Sequence, residues 1–238
     1  MSKGNNKSAS EENSFPKIID LVGESWGLFK TNFKPLLILI AITGMINLIA
    51  SLGGLFFDDT NGQELISDLF VLVLVIFLSI LSIYPLLMYL QSLDKIISGK
   101  NLIKGQLSGI FKETKGKFWG FLFVTILYGL KVLLGFILLI IPGFIFMVMY
   151  FMAPYIYVSE GKRGLEALRE SKAITSGYKG KIFVTLVVLY LPIIVVSIIL
   201  TSLPIISSIL VTFLSFILIT NPSFILYKKL RKLKGDGV

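Results

Sequence analysis

The chain contains neither cysteine nor histidine in 238 residues. Without cysteine there is no disulfide, no thiolate metal site and no thiol nucleophile. Without histidine the commonest general base and the commonest metal ligand are missing together. Charge is scarce as well, at 16% of residues against 55% hydrophobic, and the mean hydropathy is +0.85. Those values lie outside the range of soluble folds and define an integral membrane protein. Acids are fewer than bases, 14 against 23, for a formal net charge of +9. No enzyme, no cofactor and no nucleic-acid partner is expected from this inventory.

What is present are long apolar runs. A bilayer core of about 30 Å takes about 20 helical residues to cross at 1.5 Å each. Pro35 to Phe57 and Leu69 to Leu93 each cross once. Phe118 to Ser159 holds 42 residues with Lys131 as the only charge, about 63 Å if helical throughout. It must fold back, and Pro142 with Gly143 marks the expected break, since proline cannot donate its backbone bond and glycine permits reversal. Ile182 to Tyr227, 46 residues without a charge, folds back at Thr201 to Pro204. The fold class expected is an all-α integral membrane protein of six spans in three hairpins. Residues 1–14 read as a disordered polar tail, 15–234 as a single membrane domain and 235–238 as a short tail.

Basic residues segregate completely. The N-terminal arm, residues 91–117, residues 160–181 and the C-terminal tail hold every lysine and arginine except Lys131. Cytoplasmic loops carry such an excess, so both termini are expected inside a cytoplasmic membrane, with anionic lipid headgroups facing the basic belt. Each odd-numbered span has a basic, amphipathic preface: "SWGLFKTNFKPLLIL", "LSGIFKETKGKFWGFLF" and "SKAITSGYKGKIFVTL". The three read either as a weak internal repeat or as convergent interfacial sequence, lying in the headgroup layer with their apolar faces in lipid.

The most regular of these is the stretch from Tyr157 to Phe183. Leu165, Leu168, Ala173 and Ile174 fall on one side of a helix, with Lys162, Glu166, Arg169, Glu170 and Lys172 on the other. Gly164 can start it and Gly177 can end it in a left-handed cap. Lys162, Arg163, Leu165, Leu168, Arg169 and Lys172 are the candidate lipid or partner contacts. Lys131 is the candidate intramembrane site. A charge inside a span costs about 2.5 to 3.5 kcal/mol, so Lys131 either lines a polar pathway or headgroup site, or snorkels to the outer surface. Pro85, Pro154, Pro192 and Pro222, with Asn47, Tyr84, Gln91, Tyr190 and Asn221, serve either packing or a cavity. Asp59, Asn61, Gly62 and Asp68 are spaced like part of a calcium loop, but Phe57 occupies its first ligand position.

Several phrases taken together resemble a group of bacterial membrane proteins that includes the membrane domain attached to some glycerophosphoryl diester phosphodiesterases. They are Ile141 to Gly143, Pro154 with Tyr155, Gly164 to Leu168, Ser171, Lys179 with Gly180, and Leu226 with Tyr227. The resemblance covers residues 17–234 and implies a helical membrane domain of unsettled function; the role expected of the chain is non-enzymatic, lipid-interacting or scaffolding. No catalytic residue transfers, because the phosphodiesterase itself is a separate histidine-using domain. The stretch from Glu166 to Pro192 also resembles the cytoplasmic coupling loop of ABC importer permeases, although Lys172 stands where a glycine is expected. That likeness implies the alternative, a transporter subunit with an ATPase partner.

Overall fold

The computed structural model describes residues 15–57, 64–99 and 106–235. The polar tail before them and the calcium-like Asp59, Asn61 and Gly62 lie outside the described residues. Ten α-helices make up the described chain: α1 Ile18–Thr31, α2 Phe33–Phe57, α3 Glu64–Ile97, α4 Gln106–Leu138, α5 Ile140–Tyr150, α6 Ala153–Glu160, α7 Gly164–Thr175, α8 Lys179–Ile199, α9 Pro204–Ser215 and α10 Asn221–Gly235. A π-helical turn, Phe216–Thr220, joins the last two. Six stretches are long and apolar enough to cross a bilayer: Phe33–Leu52, Leu69–Ile97, Ser108–Leu138, Ile140–Glu160, Lys179–Ile199 and Pro204–Gly235. The protein is a multi-pass integral membrane protein.

The break in the third long run comes earlier than Pro142. Leu139 is extended, with φ −170 and ψ 158, and α5 restarts at Ile140. Pro142 therefore falls in a first turn, where the N–H it lacks has no helical partner in any case. Gly143 is needed by packing: a Cβ there would lie 2.4 Å from Phe136, and one on Gly135 would lie 2.9 Å from the Gly143 Cα. Gly120 of α4 likewise lies under the Tyr157 ring of α6, where a Cβ would meet its hydroxyl at 2.3 Å.

The prolines sit differently in the spans. Pro85 and Pro192 sit inside continuous helices. Pro154 stands in the first turn of α6, so the fourth span is broken at Phe151 and Met152 into α5 and α6. Pro222 cannot donate to the preceding turn, and the chain widens there into the π turn. That turn packs Phe216 on Tyr89, centroids 4.5 Å apart.

The core is concentrated at one end of the molecule. Leu87 to Leu93 of α3, Met152 to Val158, Ala167, Leu168, Ile174 and Phe224 to Tyr227 are buried together. At the other end the spans are uncovered: Leu72, Ile76, Leu134, Ile137, Leu191, Ile198, Ile206 and Ile209 are all exposed. Only 11% of the most apolar window of α3 is buried, against 56% for the span that ends in α10, so the bundle is packed where it is charged and open where it is apolar.

The three amphipathic prefaces are not equivalent. Residues 106–117 continue straight into the third span as part of α4. α1 is a separate helix whose Leu21, Ser25 and Phe29 are buried, with Phe29 on Phe213 of α9. α7 buries Gly164, Ala167, Leu168, Ser171, Ile174 and Thr175. The faces expected to enter lipid are packed on the chain itself, because neighbouring helices offer them a complementary surface that removes the same apolar area. Leu165 and Ala173, expected on the apolar side of α7, are exposed instead. The turn of the face about the axis brings small residues, Ala167 and Ser171, against the kink in the fourth span. Gly164 at φ +51 begins the helix against Phe123, and Gly177 at φ +85 follows its end.

Candidate functional site

The four basic segments meet at the packed end, and acids meet them there. Arg231 of α10 pairs with Glu170 of α7 and with Glu160 at the end of α6, the latter at 3.1 Å. Lys162 bridges the same two acids at 2.8 Å and 3.2 Å. The Tyr227 hydroxyl donates to Glu160 at 2.7 Å. Beside this network Asp94 at the end of α3 accepts from Ser159 at 2.7 Å and pairs with Lys228 at 2.7 Å. Glu113 holds Lys95 and Lys117, and Glu24 of α1 holds Lys229. Four segments far apart in sequence are thereby tied into one charged joint.

The Lys162 ammonium, then Arg231, holds the Glu170 carboxyl below the usual glutamate range, and Glu170 in turn raises Lys162. A lowered carboxylate stabilises the fold fully above its unfolded value of about 4.3 and loses that contribution as pH falls through the folded one. The raised lysine contributes fully below about 10.4 and loses its contribution as pH rises through the folded value. Replacing Glu170 by glutamine should therefore lower the melting temperature at neutral pH by a degree or two, on the order of an exposed ion pair. The difference from the native protein should shrink toward zero as a detergent melting series is taken from pH 7 to below pH 4. A difference that stayed constant to pH 3 would remove the ionic part of the joint.

Beneath the ion pairs lies a serine that completes a broken backbone. The Ser171 hydroxyl accepts the Met152 N–H at 3.1 Å and donates to the Met149 carbonyl at 2.8 Å. Thr175 adds a bond to the same carbonyl at 3.3 Å. α7 thus supplies what the Pro154 break takes from the fourth span. Further in, Tyr89 donates to Asn221 at 2.7 Å and Thr114 to Gln91 at 2.8 Å. The amide nitrogens of Gln91 and Asn221 are buried without a partner among the described residues. Among the described residues, no group of three or more His, Cys, Asp or Glu is placed to hold a metal.

Against family models, curated proteins and solved structures the chain matches nothing. The likeness to the phosphodiesterase-associated membrane domain remains an expectation. Three of the residues quoted for it have structural roles of their own: Pro154 stands at the break in the span, Ser171 hydrogen-bonds across that break, and Tyr227 reaches the Glu160 that Arg231 and Lys162 share.

The candidate residues on α7 separate into two sets. Leu168 is buried and Lys162 is held in the joint. Arg163, Leu165, Arg169 and Lys172 are exposed. Lys131 is half-buried and makes no ion pair or hydrogen bond with the described residues; it lies seven residues before α4 ends at Leu138, about 10 Å along the axis. Reading the sequence by its lysines and arginines alone missed Asp94, Glu113, Glu160 and Glu170. A signal was there, because acids share the segments that hold the bases.

One further feature departs from six upright crossings. Ile141, Phe144, Ile145 and Val148 of α5 line a groove of about 350 Å³ with Lys179, Gly180 and Phe183 of α8, and Phe144 packs edge-on to Phe183. An upright span would hold the turn before α5 about 30 Å from the charged start of α8. α5 instead lines one groove with that start.

Proposed function

We propose that this chain is a non-enzymatic accessory domain of a prokaryotic cytoplasmic membrane, engaging lipid or scaffolding other membrane proteins. In this reading its spans pair as three hairpins and both termini lie in the cytoplasm. The observation that supports it is the contrast between the two ends. One end is closed by a core and a joint of ion pairs; the other presents broad apolar helix faces that the chain itself leaves uncovered. Such faces are satisfied by acyl chains or by the helices of another membrane protein. The charge segregation supports the orientation, since the basic segments gather on one side.

A permease subunit is the second reading, favoured by the exposed Leu165, Arg169 and Lys172 on α7, which face away from the chain. Purification in native lipid discriminates the two. Recovery with lipid, or with integral membrane proteins alone, is the expected outcome; stoichiometric recovery of an ATPase that is lost on charge reversal of Arg169 and Lys172 would replace the proposal by the permease. Topology is checked with single cysteines, for which the native chain offers no background thiol. An impermeant thiol reagent outside intact cells should label a cysteine at Asn61 and spare one at Ser98. The reverse pattern overturns the orientation, and failure to label one at Ile141 would show that the turn before α5 does not reach the outer face.

A further inference from the structure

A cleft of about 660 Å³ lies where α1, the end of α3 and α10 meet. One wall is a lysine row on α10, Lys228, Lys229 and Lys232; the facing wall is α1, with Glu24, Thr31 and Gly27. Its floor is aliphatic: Leu28, Ile96, Ile97 and Ile225. The volume is that of a small-molecule site. The lining carries three positive charges against one negative; Glu24 on the facing wall pairs with Lys229, while Asp94, outside the lining, pairs with Lys228.

We infer that this cleft binds the phosphate of an anionic phospholipid headgroup, with the first carbons of the lipid chains on the aliphatic floor. Ammonium groups in a row suit a phosphate as point charges, and Lys232 follows Lys228 and Lys229 at four and three positions, which brings it near both on the surface of α10. The floor favours a lipid over free phosphate, because a soluble anion gains nothing from four aliphatic side chains. Depth agrees. Trp26, next to Gly27, is partly exposed with Lys30 over its ring at 5.2 Å, and Phe33 is exposed one turn on. An aromatic and lysine pair of this kind marks the headgroup layer. Gly27 leaves the α1 wall open, since a Cβ there would meet nothing within 4 Å.

The site deepens the lipid reading proposed above and rests on it. The test uses the full chain in neutral detergent, titrated with phosphatidylglycerol or phosphatidylcholine and read by native mass spectrometry. Two variants are compared: Lys229→Gln with Lys232→Gln, which removes charge, and Gly27→Phe, which fills the cleft and leaves every charge in place. The native protein should prefer phosphatidylglycerol, and each variant should bind it about tenfold more weakly while melting within a few degrees of the native protein. Glycerol 3-phosphate and inorganic phosphate should not compete at millimolar concentration; competition by either would overturn the lipid as ligand. If the native protein prefers the anionic lipid and both variants match it, the cleft is wrong and the general lipid reading stands. If the native protein shows no preference, both fall.

Discussion

Gly135→Ala is expected to lower the melting temperature of the detergent-purified protein by several degrees, whereas Gly129→Ala, on the same helix, should raise it or leave it unchanged. The added methyl at Gly135 would lie 2.9 Å from the Gly143 Cα and 3.1 Å from the Pro142 carbonyl oxygen. Those atoms are backbone and cannot swing aside, so α4 and α5 must separate. Overpacking of this kind costs about 1 to 3 kcal/mol, or about 2 to 4 °C for each kcal/mol in a chain of this size. At Gly129 nothing lies within 4 Å, and alanine improves on glycine in a helix interior by about 1 kcal/mol. The pair separates close approach from helix propensity. Equal melting of the two variants would mean that the turn after Leu138 does not bring the helices together at Gly135 and Gly143.

Ser171→Ala should cost about 1 to 3 kcal/mol, the penalty of a buried backbone donor left without a partner. The serine is fully buried and serves both sides of the break, accepting from Met152 and donating to Met149. No water replaces it without room, and alanine makes none. The loss should be local as well as global. Amide exchange at Met152 should accelerate more than exchange in the middle of α8. Thr175→Val removes only a longer bond to the same carbonyl, 3.3 Å, and should cost less than half as much. If Ser171→Ala melted like the native protein with unchanged exchange at Met152, the docking of α7 on the break would not be what holds the fourth span in its bent form.

Six apolar stretches, their order and the helix break near Thr201 to Pro204 were legible in the sequence because they depend on local quantities: twenty residues per crossing, and a proline that cannot continue a helix. The segregation of lysine and arginine was legible for the same reason. Partnership was not. Arg231 and Glu170 are 61 positions apart, and Tyr227 and Glu160 67 apart; nothing in the spacing of either pair announces the other, so the basic segments read as a belt facing lipid when several of their lysines face acids. α7 shows the same division. Its helix and its glycine ends follow from its own residues, but the side it buries was decided by the broken fourth span. Ser171 and Ala167 fit against Met149 and Met152, and Leu165 was left outside. The first break came at Leu139 because a proline in a first turn gives up no bond, a choice made by the helix that follows it. Composition and periodicity thus determined that the chain holds six stretches long and apolar enough to cross a membrane, and where its charge lies. Which faces meet, and which remain for lipid, was decided by the tertiary structure, because burial and hydrogen-bond satisfaction depend on neighbours that the chain brings from elsewhere.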